Sequence, residues 1–503
     1  MNHFVEENLK SHDLYQFEIK SVYPFDKENN CSDFIIESYI FLPHNLGISA
    51  ETYSRENIYH DMQKYIRLQT PNIILKKFFD NEQSPISRLE KILQELITAP
   101  NDKKILKKYR QCVKLVGAIF KSTLRDEGKY LKNLHKNDNP TAYIIKQLQD
   151  IENIRDEFKK LRKYFSGENN LKEECIILYN FADEYISLIV ERHCVLILKK
   201  LQTLKIEDTK KIKTQLNHVV NSEWEHRKIQ GYESLQIEGK GNEQYLYRFS
   251  TLKKIMESVL FIKSQTKSEG VLLLGLVPIL SAAAAMFIAT LMMFFVQKNF
   301  ERFSIVFLWL IVTIYVVKDR CKEWLNNLII HKGRRFLYDF KTILYTHLNK
   351  KIGFLRESVK FINNEDLDQD IRELRNNKDP FEPSSNLVGE NILYTKKEVM
   401  FYAKNIKEHY PLFEVNGIVD ILRFNVNSML YKMDDPTDKI IIANKENNEV
   451  KIATASRVYH IHLILKYGLK PTKDNINSRP KDKYRHFTII LNRDGIKNIK
   501  EEE

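Results

Sequence analysis

The 503-residue sequence predicts an α+β membrane protein, and three patterns support that fold class. The 26-residue stretch 271–296 contains no charged residue, which is the signature of a membrane-spanning helix. Apolar residues alternate with polar ones near both ends of the chain, as in β-strands, and recur every three or four residues in between, as in helices. We therefore expect an N-terminal β element, a helical bundle, a two-span transmembrane hairpin and a C-terminal β-rich domain.

The N-terminal region, residues 1–80, is predicted to contain β-structure. Tyr15, Phe17 and Ile19 alternate with polar residues, and a second alternating segment covers 33–42. The segment between them, PFDKENNCS, is rich in turn-forming residues. Two neighbouring strands or a hairpin are therefore expected here.

Residues 84–269 are predicted to form a cytosolic helical bundle. In the clearest amphipathic stripe, apolar residues alternate between three- and four-residue spacing from Ile144 to Phe165. Clusters of turn-forming residues at 98–102, 137–140, 166–170 and 238–242 separate the helices. Such stripes are typical of core packing or of coiled coils, and protein partners, including further copies of this chain, would bind through them.

Two apolar runs, 271–296 and 303–317, predict the transmembrane hairpin. A bilayer core of about 30 Å needs about 20 helical residues, so the first run suffices. The second run has 15 residues and spans only if flanking basic side chains snorkel and the bilayer thins locally. The alternatives are a re-entrant second segment and a helical hairpin buried in a large soluble core.

Basic residues predict the orientation of this hairpin. The loop between the runs offers only Lys298 and Arg302, whereas both outer flanks are richer in Lys and Arg. We expect both termini in the cytoplasm, with the bacterial inner membrane as the simplest location, and the polar N-terminus shows no cleavable signal peptide. The membrane-flanking basic residues nearest the runs are Lys263, Lys267, Lys318, Arg320 and Lys322.

The second half of the chain continues with three predicted segments. Apolar residues spaced three or four apart from Leu337 to Ile362 predict an amphipathic helix over 318–362. Residues 363–390 read as a polar linker, and residues 391–503 as a β-rich cytosolic domain with a hairpin around 445–448. The linker begins like an EF-hand loop, but Ile371 occupies the position that needs glycine, so no calcium site is predicted.

Composition excludes several functions. The formal charge is +13, but many of the basic residues flank the apolar runs, where they would face an anionic leaflet, and no nucleic-acid motif is present. No nucleic-acid partner is therefore predicted. The five cysteines lack zinc-ligand spacing, and the 15 glycines form no phosphate-binding loop. Standard catalytic motifs are absent as well. The motifs in this sequence therefore predict neither a cofactor nor an enzymatic activity.

The last two predicted strands carry the candidate site residues. Strand alternation places His460 and His462 on one face, away from the core, and His486 and Thr488 on the matching face of the next strand. The three imidazoles His460, His462 and His486 could bind zinc with an open fourth position. Alternatively, His460, His486 and Thr488 could act on a phosphodiester by acid–base catalysis. The interpretation we favour over both is that these are ordinary histidines on a half-exposed strand. His486 and Thr488 resemble half of the His-x-Thr pattern of two-histidine phosphoesterases, whereas the earlier strand lacks the hydroxyl.

Three functions remain compatible with the sequence. The first, which we favour, is a membrane-tethered scaffold, sensor or interaction protein, because long amphipathic helices dominate and catalytic motifs are missing. The second is a membrane-perturbing effector in a bacterial stress or defence setting. The third is a membrane-anchored hydrolase that uses the histidine face.

Overall fold

The chain folds into two compact units, which we call the sandwich unit and the helical unit. The sandwich unit comprises 1–66, 262–409 and 417–503, and the helical unit comprises 67–261 and 410–416. The computed structural model describes residues 6–25, 31–78, 84–133, 140–165, 171–204, 210–237, 239, 241–299, 304–334, 338–346, 349–376, 389–410, 415–443, 450–469 and 482–502.

Strands and helices alternate irregularly along the chain. The strands are β1 (Glu6–Ser11), β2 (Gln16–Pro24), β3 (Cys31–Pro43), β4 (Met62–Leu68), β5 (Lys263–Ser268), β6 (Phe340–Tyr345), β7 (Lys351–Ile362), β8 (Glu390–Tyr402), β9 (Gly417–Asn425), β10 (Thr437–Ala443), β11 (Val450–Ser456), β12 (Tyr459–Leu469), β13 (Lys483–Asn492) and β14 (Gly495–Glu502). The helices are α1 (Arg55–Asp61), α2 (Pro85–Thr98), α3 (Lys103–Asn133), α4 (Pro140–Lys160), α5 (Glu173–Leu204), α6 (Lys210–Ile229), α7 (Glu243–Glu257), α8 (Val271–Asn299), α9 (Ile305–Arg334), α10 (Gln369–Asn376), α11 (Ala403–His409) and α12 (Asn427–Leu430).

The sandwich unit joins strands from both ends of the chain. One sheet has the order β14-β13-β12-β3-β8-β7-β6-β5, and a second sheet has the order β1-β2-β9-β4. β3 pairs with β12 and β8, and β2 pairs with β9. The expectation of separate N-terminal (1–80) and C-terminal (391–503) regions is therefore wrong. Three N-terminal strands alone would leave their edges unpaired, and the C-terminal strands provide the missing partners.

The predicted amphipathic helix over 318–362 is also wrong beyond residue 334. Helix α9 ends at Arg334, and the strands β6 and β7 later in that segment pair with each other, with Phe340 opposite Glu357. Residues 335–337 and 347–348 lie outside the described residues. Asn349 takes the left-handed conformation, with φ of 60°, in the turn between the two strands. Both faces of β7 bury apolar residues, so helical spacing fits this strand by coincidence.

The predicted polar linker 363–390 contains helix α10, while its residues 377–388 lie outside the described residues. Ile371 of α10 is fully buried. Together with Leu374 it packs against Phe41 and Ile392, which belong to the eight-stranded sheet. A segment that looks polar in sequence therefore supplies a second layer over one sheet face.

Helices α2 to α7 lie in the helical unit, whereas β5, within the segment 84–269 expected to be helical, belongs to the sandwich unit. At the centre of the helical unit lies the carboxylate of Asp183, which accepts hydrogen bonds from Arg155 (2.9 Å), His226 (2.8 Å) and Tyr232 (2.9 Å). Arg155 also donates twice to Glu223, at 3.0 and 2.8 Å. Burial alone would raise the pKa of Asp183, but Arg155 and His226 outweigh it and hold that pKa well below its usual range.

Helices α8 and α9 follow one another in the sandwich unit. Within the described residues, the stretch Gly275–Asn299 of α8 is the one helix long and apolar enough to cross a membrane, with a mean hydropathy of 2.4. Helix α9 contains the second apolar run but continues without a break through the charged residues after Val317. The small residues Ser281 and Ala285 of α8 are buried, whereas most of its large side chains are exposed.

Candidate functional site

The most unusual surface of the protein is the apolar exterior of α8 and α9. Only 22% of the most apolar part of α8 is buried. Phe287, Phe295 and Trp309 are each about two-thirds exposed. A core helix of a water-soluble protein would bury such side chains, because each exposed aromatic residue keeps a large apolar area in contact with solvent. This exterior is the kind of surface that a bilayer or a protein partner covers.

The two ends of this helical hairpin are held together by the sheet. β5 leads into α8, β6 follows α9, and the two strands pair with Ser268 opposite Phe340. The backbone N–H of Glu269 donates to the carbonyl oxygen of Asp339 at 3.0 Å. Both ends of the hairpin therefore leave the sandwich at one place.

Asp339 is the central residue of this junction. Its carboxylate accepts hydrogen bonds from Arg55 (2.6 Å), from the hydroxyl of Tyr59 (3.0 Å) and from the backbone N–H of Val359 (2.9 Å). Arg55 and Tyr59 belong to α1, so a short helix from the N-terminal part of the chain is bound to the base of the hairpin. Burial, followed by the charge of Asp339, raises the pKa of Tyr59, so its hydroxyl stays a neutral donor.

The predicted membrane-flanking residues lie on the elements that enter and leave the hairpin. Lys263 and Lys267 lie on the fully exposed edge strand β5. Lys318, Arg320 and Lys322 lie on α9 directly after its apolar run, and the Lys318 ammonium group packs over the ring of Tyr315 at 4.5 Å. Lys318 is half-buried, whereas Arg320 and Lys322 are exposed.

A buried ionic cluster lies between the two sheets. Lys397 of β8 contacts both Asp420 of β9 and Glu357 of β7, and Lys64 of β4 contacts Glu357 from the opposite sheet. Burial would raise the pKa of Glu357, but the ammonium groups of Lys397 and Lys64 outweigh it and lower that pKa to about 2. The same residues line a cavity of about 60 Å³, which has room for a few water molecules and none for a metabolite.

The predicted histidine strands pair as expected. β12 and β13 are antiparallel, with His462 opposite Thr488, His460 opposite Ile490 and Ile464 opposite His486. The register therefore places all the candidate side chains on one face of the sheet. His462 Nδ1 lies 3.2 Å from His486 Nε2 and 3.1 Å from the Thr488 hydroxyl. That hydroxyl donates to Glu502 of β14 at 2.6 Å, a contact that the sequence did not indicate.

The expectation that this face points away from the core is wrong. His462 is 0% exposed, Thr488 3% and His486 8%, whereas His460 is half-buried. This sheet face is covered at least in part by α10, whose Ile371 packs in one cluster with Ile464 of β12. Within the described ranges, no group of three or more His, Cys, Asp and Glu side chains is arranged to hold a metal ion. The pair His462–His486 and its hydroxyl neighbour therefore tie three strands together inside the fold.

Sequence reasoning did not find Asp339 or the charged residues between the sheets. Asp339 lies in the segment 318–362, which the sequence predicted to be helical. Its partners Arg55 and Tyr59 lie about 280 positions earlier in the chain. No local pattern links such distant residues. No family model matches the sequence, and searches of curated proteins and of solved structures also found no match.

Proposed function

We propose that the protein is a membrane-tethered sensor or scaffold whose α8–α9 hairpin enters a bilayer from the cytoplasmic side. The observation that supports this most is the exposed apolar exterior of a helix 25 residues long in its most apolar part. A helix of this length rises about 38 Å, which exceeds the bilayer core of about 30 Å. Helix α9 would accompany it, with Lys318 snorkelling at the interface.

The strand pairing at the base supports a shared orientation of the two flanks. Since β5 and β6 are hydrogen-bonded neighbours, residues before α8 and after α9 lie on one side of any bilayer that the hairpin enters. The exposed basic residues Lys263, Lys267, Arg320 and Lys322 favour the cytoplasmic side for both flanks. The sandwich unit contains both flanks, and both described chain ends belong to its sheets.

The link through Asp339 favours a sensor over an inert anchor. α1 contacts the base of the hairpin through two side chains, so a shift of α1 changes the contacts at the point where the hairpin leaves the sandwich. Coupling of this kind needs an element with two arrangements, and α1 is the candidate.

The experiment is a membrane-retention assay on the full-length chain. Ala284 is exposed on α8, and arginine at this position costs about 2.5–3.5 kcal/mol of insertion free energy. We expect Ala284→Arg to be extracted from membranes by alkaline carbonate, while the control Ala284→Leu is retained. A tag between Gln297 and Arg302 should be accessible only from the far side, and a reporter at Glu503 only from the cytoplasm. Equal retention of the two variants would contradict the proposal.

The hydrolase alternative has less support. A two-histidine mechanism requires that both imidazoles reach a substrate phosphorus or the oxygen of its leaving group. His462 and His486 are buried inside the fold, and the remaining candidate, His460, is half-buried and lies opposite Ile490. Zinc at these histidines has no support in the geometry either.

A further inference from the structure

A polar cavity of about 280 Å³ lies between α1 and α12 in the sandwich unit. We call it the Asp61 cavity, after the carboxylate at its floor. Its volume falls just below the range of about 300–1,000 Å³ typical of sites for drug-sized ligands, so it suits a smaller molecule. The polar side chains that line it belong to Thr52, Tyr53, Asn57, His60, Asp61, Ser428 and Lys432.

Hydrogen bonds at the floor fix which atoms can face a ligand. Asp61 Oδ2 accepts from the hydroxyl of Tyr53 at 2.5 Å and from the hydroxyl of Ser428. Both hydroxyl hydrogens are therefore used, and each oxygen keeps lone pairs that can accept another hydrogen bond. Burial, followed by the hydrogen bond to Asp61, raises the pKa of Tyr53, so this phenol stays neutral.

The rim of the cavity provides the complementary donors. Asn57 and Lys432 are exposed, and the Lys432 ammonium group uses one hydrogen on the carbonyl oxygen of Gly47 at 3.0 Å. Two ammonium hydrogens and the amide of Asn57 remain for a ligand. His60 lies beside Asp61, with Nδ1 3.6 Å from Oδ1, and its side chain is 88% exposed.

The charge of the lining narrows the class of ligand. Aside from His60, the lining carries one carboxylate, Asp61, and one ammonium group, Lys432, so neither an anion nor a cation is favoured overall. Ile48 and Met429 also line the cavity, but both are buried and offer a ligand little accessible apolar area. A site that presents clustered hydrogen-bond donors and acceptors without a net charge matches a small neutral molecule with several hydroxyl groups.

We propose that the Asp61 cavity binds a neutral, hydroxyl-rich molecule of monosaccharide size. The proposal deepens and rests on the sensor function, because α1 contributes to both the cavity and the hairpin base. Asn57 and Asp61 line the cavity, whereas Arg55 and Tyr59 of the same helix bind Asp339. A ligand that moves α1 by even a fraction of an ångström changes those contacts.

The test uses the full-length chain in lipid nanodiscs, which avoids competition from sugar-headed detergents. Saturation-transfer NMR is recorded with glucose, galactose, mannose, ribose and inositol as probes, and with inorganic phosphate as an anionic probe monitored by ³¹P line broadening. We expect at least one hydroxyl-rich probe to bind and phosphate not to bind. Lys432→Gln and Asp61→Asn should each weaken that binding by about 10- to 100-fold, as for the loss of a charge-assisted hydrogen bond.

Asp435→Asn is the matched control, because Asp435 is exposed, lies outside the cavity and makes only a surface ion pair with Arg493. It should leave binding unchanged. Lys432 is exposed, so Lys432→Gln remains informative even where the melting curve shows that Asp61→Asn is unfolded. No binding of any sugar, binding of phosphate alone, or sugar binding that survives Lys432→Gln would overturn the assignment. Carbonate retention of the same preparation reports separately on the membrane proposal.

Discussion

Replacing Asp339 with alanine should loosen the base of the α8–α9 hairpin. The substitution removes the acceptor of three hydrogen bonds, from Arg55, Tyr59 and Val359. The Arg55 side chain is 43% exposed, so its ion pair contributes about 0–1 kcal/mol. The Tyr59 hydroxyl and the Val359 N–H lie in part-buried surroundings. Leaving each of these donors without an acceptor should cost about 1–2 kcal/mol of folding free energy. The total is about 2–5 kcal/mol.

Hydrogen exchange measured by mass spectrometry is the suitable assay, because a chain with two units does not unfold in one step and a single melting temperature would mix them. The amides of β5 and β6 should exchange about 30- to 4,000-fold faster in Asp339→Ala, since each 1.4 kcal/mol is a factor of ten. Asp435→Ala, which removes an exposed ion pair, should leave these peptides unchanged. Unchanged protection of 263–268 and 340–345 in Asp339→Ala would refute the assigned role of this residue.

Three further outcomes follow from buried polar groups. His462→Ala should destabilise the sandwich unit by about 1–3 kcal/mol, because it leaves buried partners unsatisfied. His460 is half-buried, so His460→Ala should cost less. Equal effects of the two substitutions on protease resistance would contradict the burial of His462. The pKa of Glu357 is held near 2 in the fold and is about 4.3 when unfolded, so its stabilisation is present above about pH 4.3 and is lost as pH falls towards 2. The stability of Glu357→Gln, measured by circular dichroism during acid unfolding, should therefore depend less on pH in that window than the stability of the wild-type protein. Arg155→Ala should cost the helical unit about 3–5 kcal/mol in denaturant titrations, because two buried carboxylates, Asp183 and Glu223, each lose one ion-pair partner. Arg110→Ala at an exposed pair should stay within about 1 kcal/mol.

The sequence predicted local elements better than their assembly. The alternation of apolar and polar residues around Phe17 and Ile19, and in the strand that contains His462, marked true strands. β2 buries mainly alternate side chains, whereas β12 is buried on both faces from Ile461 to Leu465. The stripe from Ile144 marked α4 for the same kind of reason. Strand order was beyond reach, since β2 pairs with β9 and β3 with β12 across most of the chain, and no local pattern specifies such partners.

The candidate site shows the same division. The antiparallel pairing that brings His462 to Thr488 could be anticipated from alternation alone. The sequence did not indicate which face of the sheet is covered. Helix α10, which packs on that face through Ile371 and Leu374, comes from a segment dominated by polar residues. The strand β7 was mistaken for helix because it is buried on both faces, which removes the two-residue alternation that identifies a strand.

The pairing of β2 with β9 has a consequence for biosynthesis. The hydrogen bond from Tyr23 to Asp420 joins residues 397 positions apart, and the helical unit and the apolar hairpin are both encoded between them. At about 5–20 residues per second, a ribosome needs roughly 20–80 seconds to complete that interval. For most of this time β2 is without β9, and β3 is without β8 and β12, while the apolar surface of α8 is already exposed. Unpaired strands of this kind are prone to aggregate, so the nascent chain has to be shielded until its last hundred residues emerge and close the sandwich.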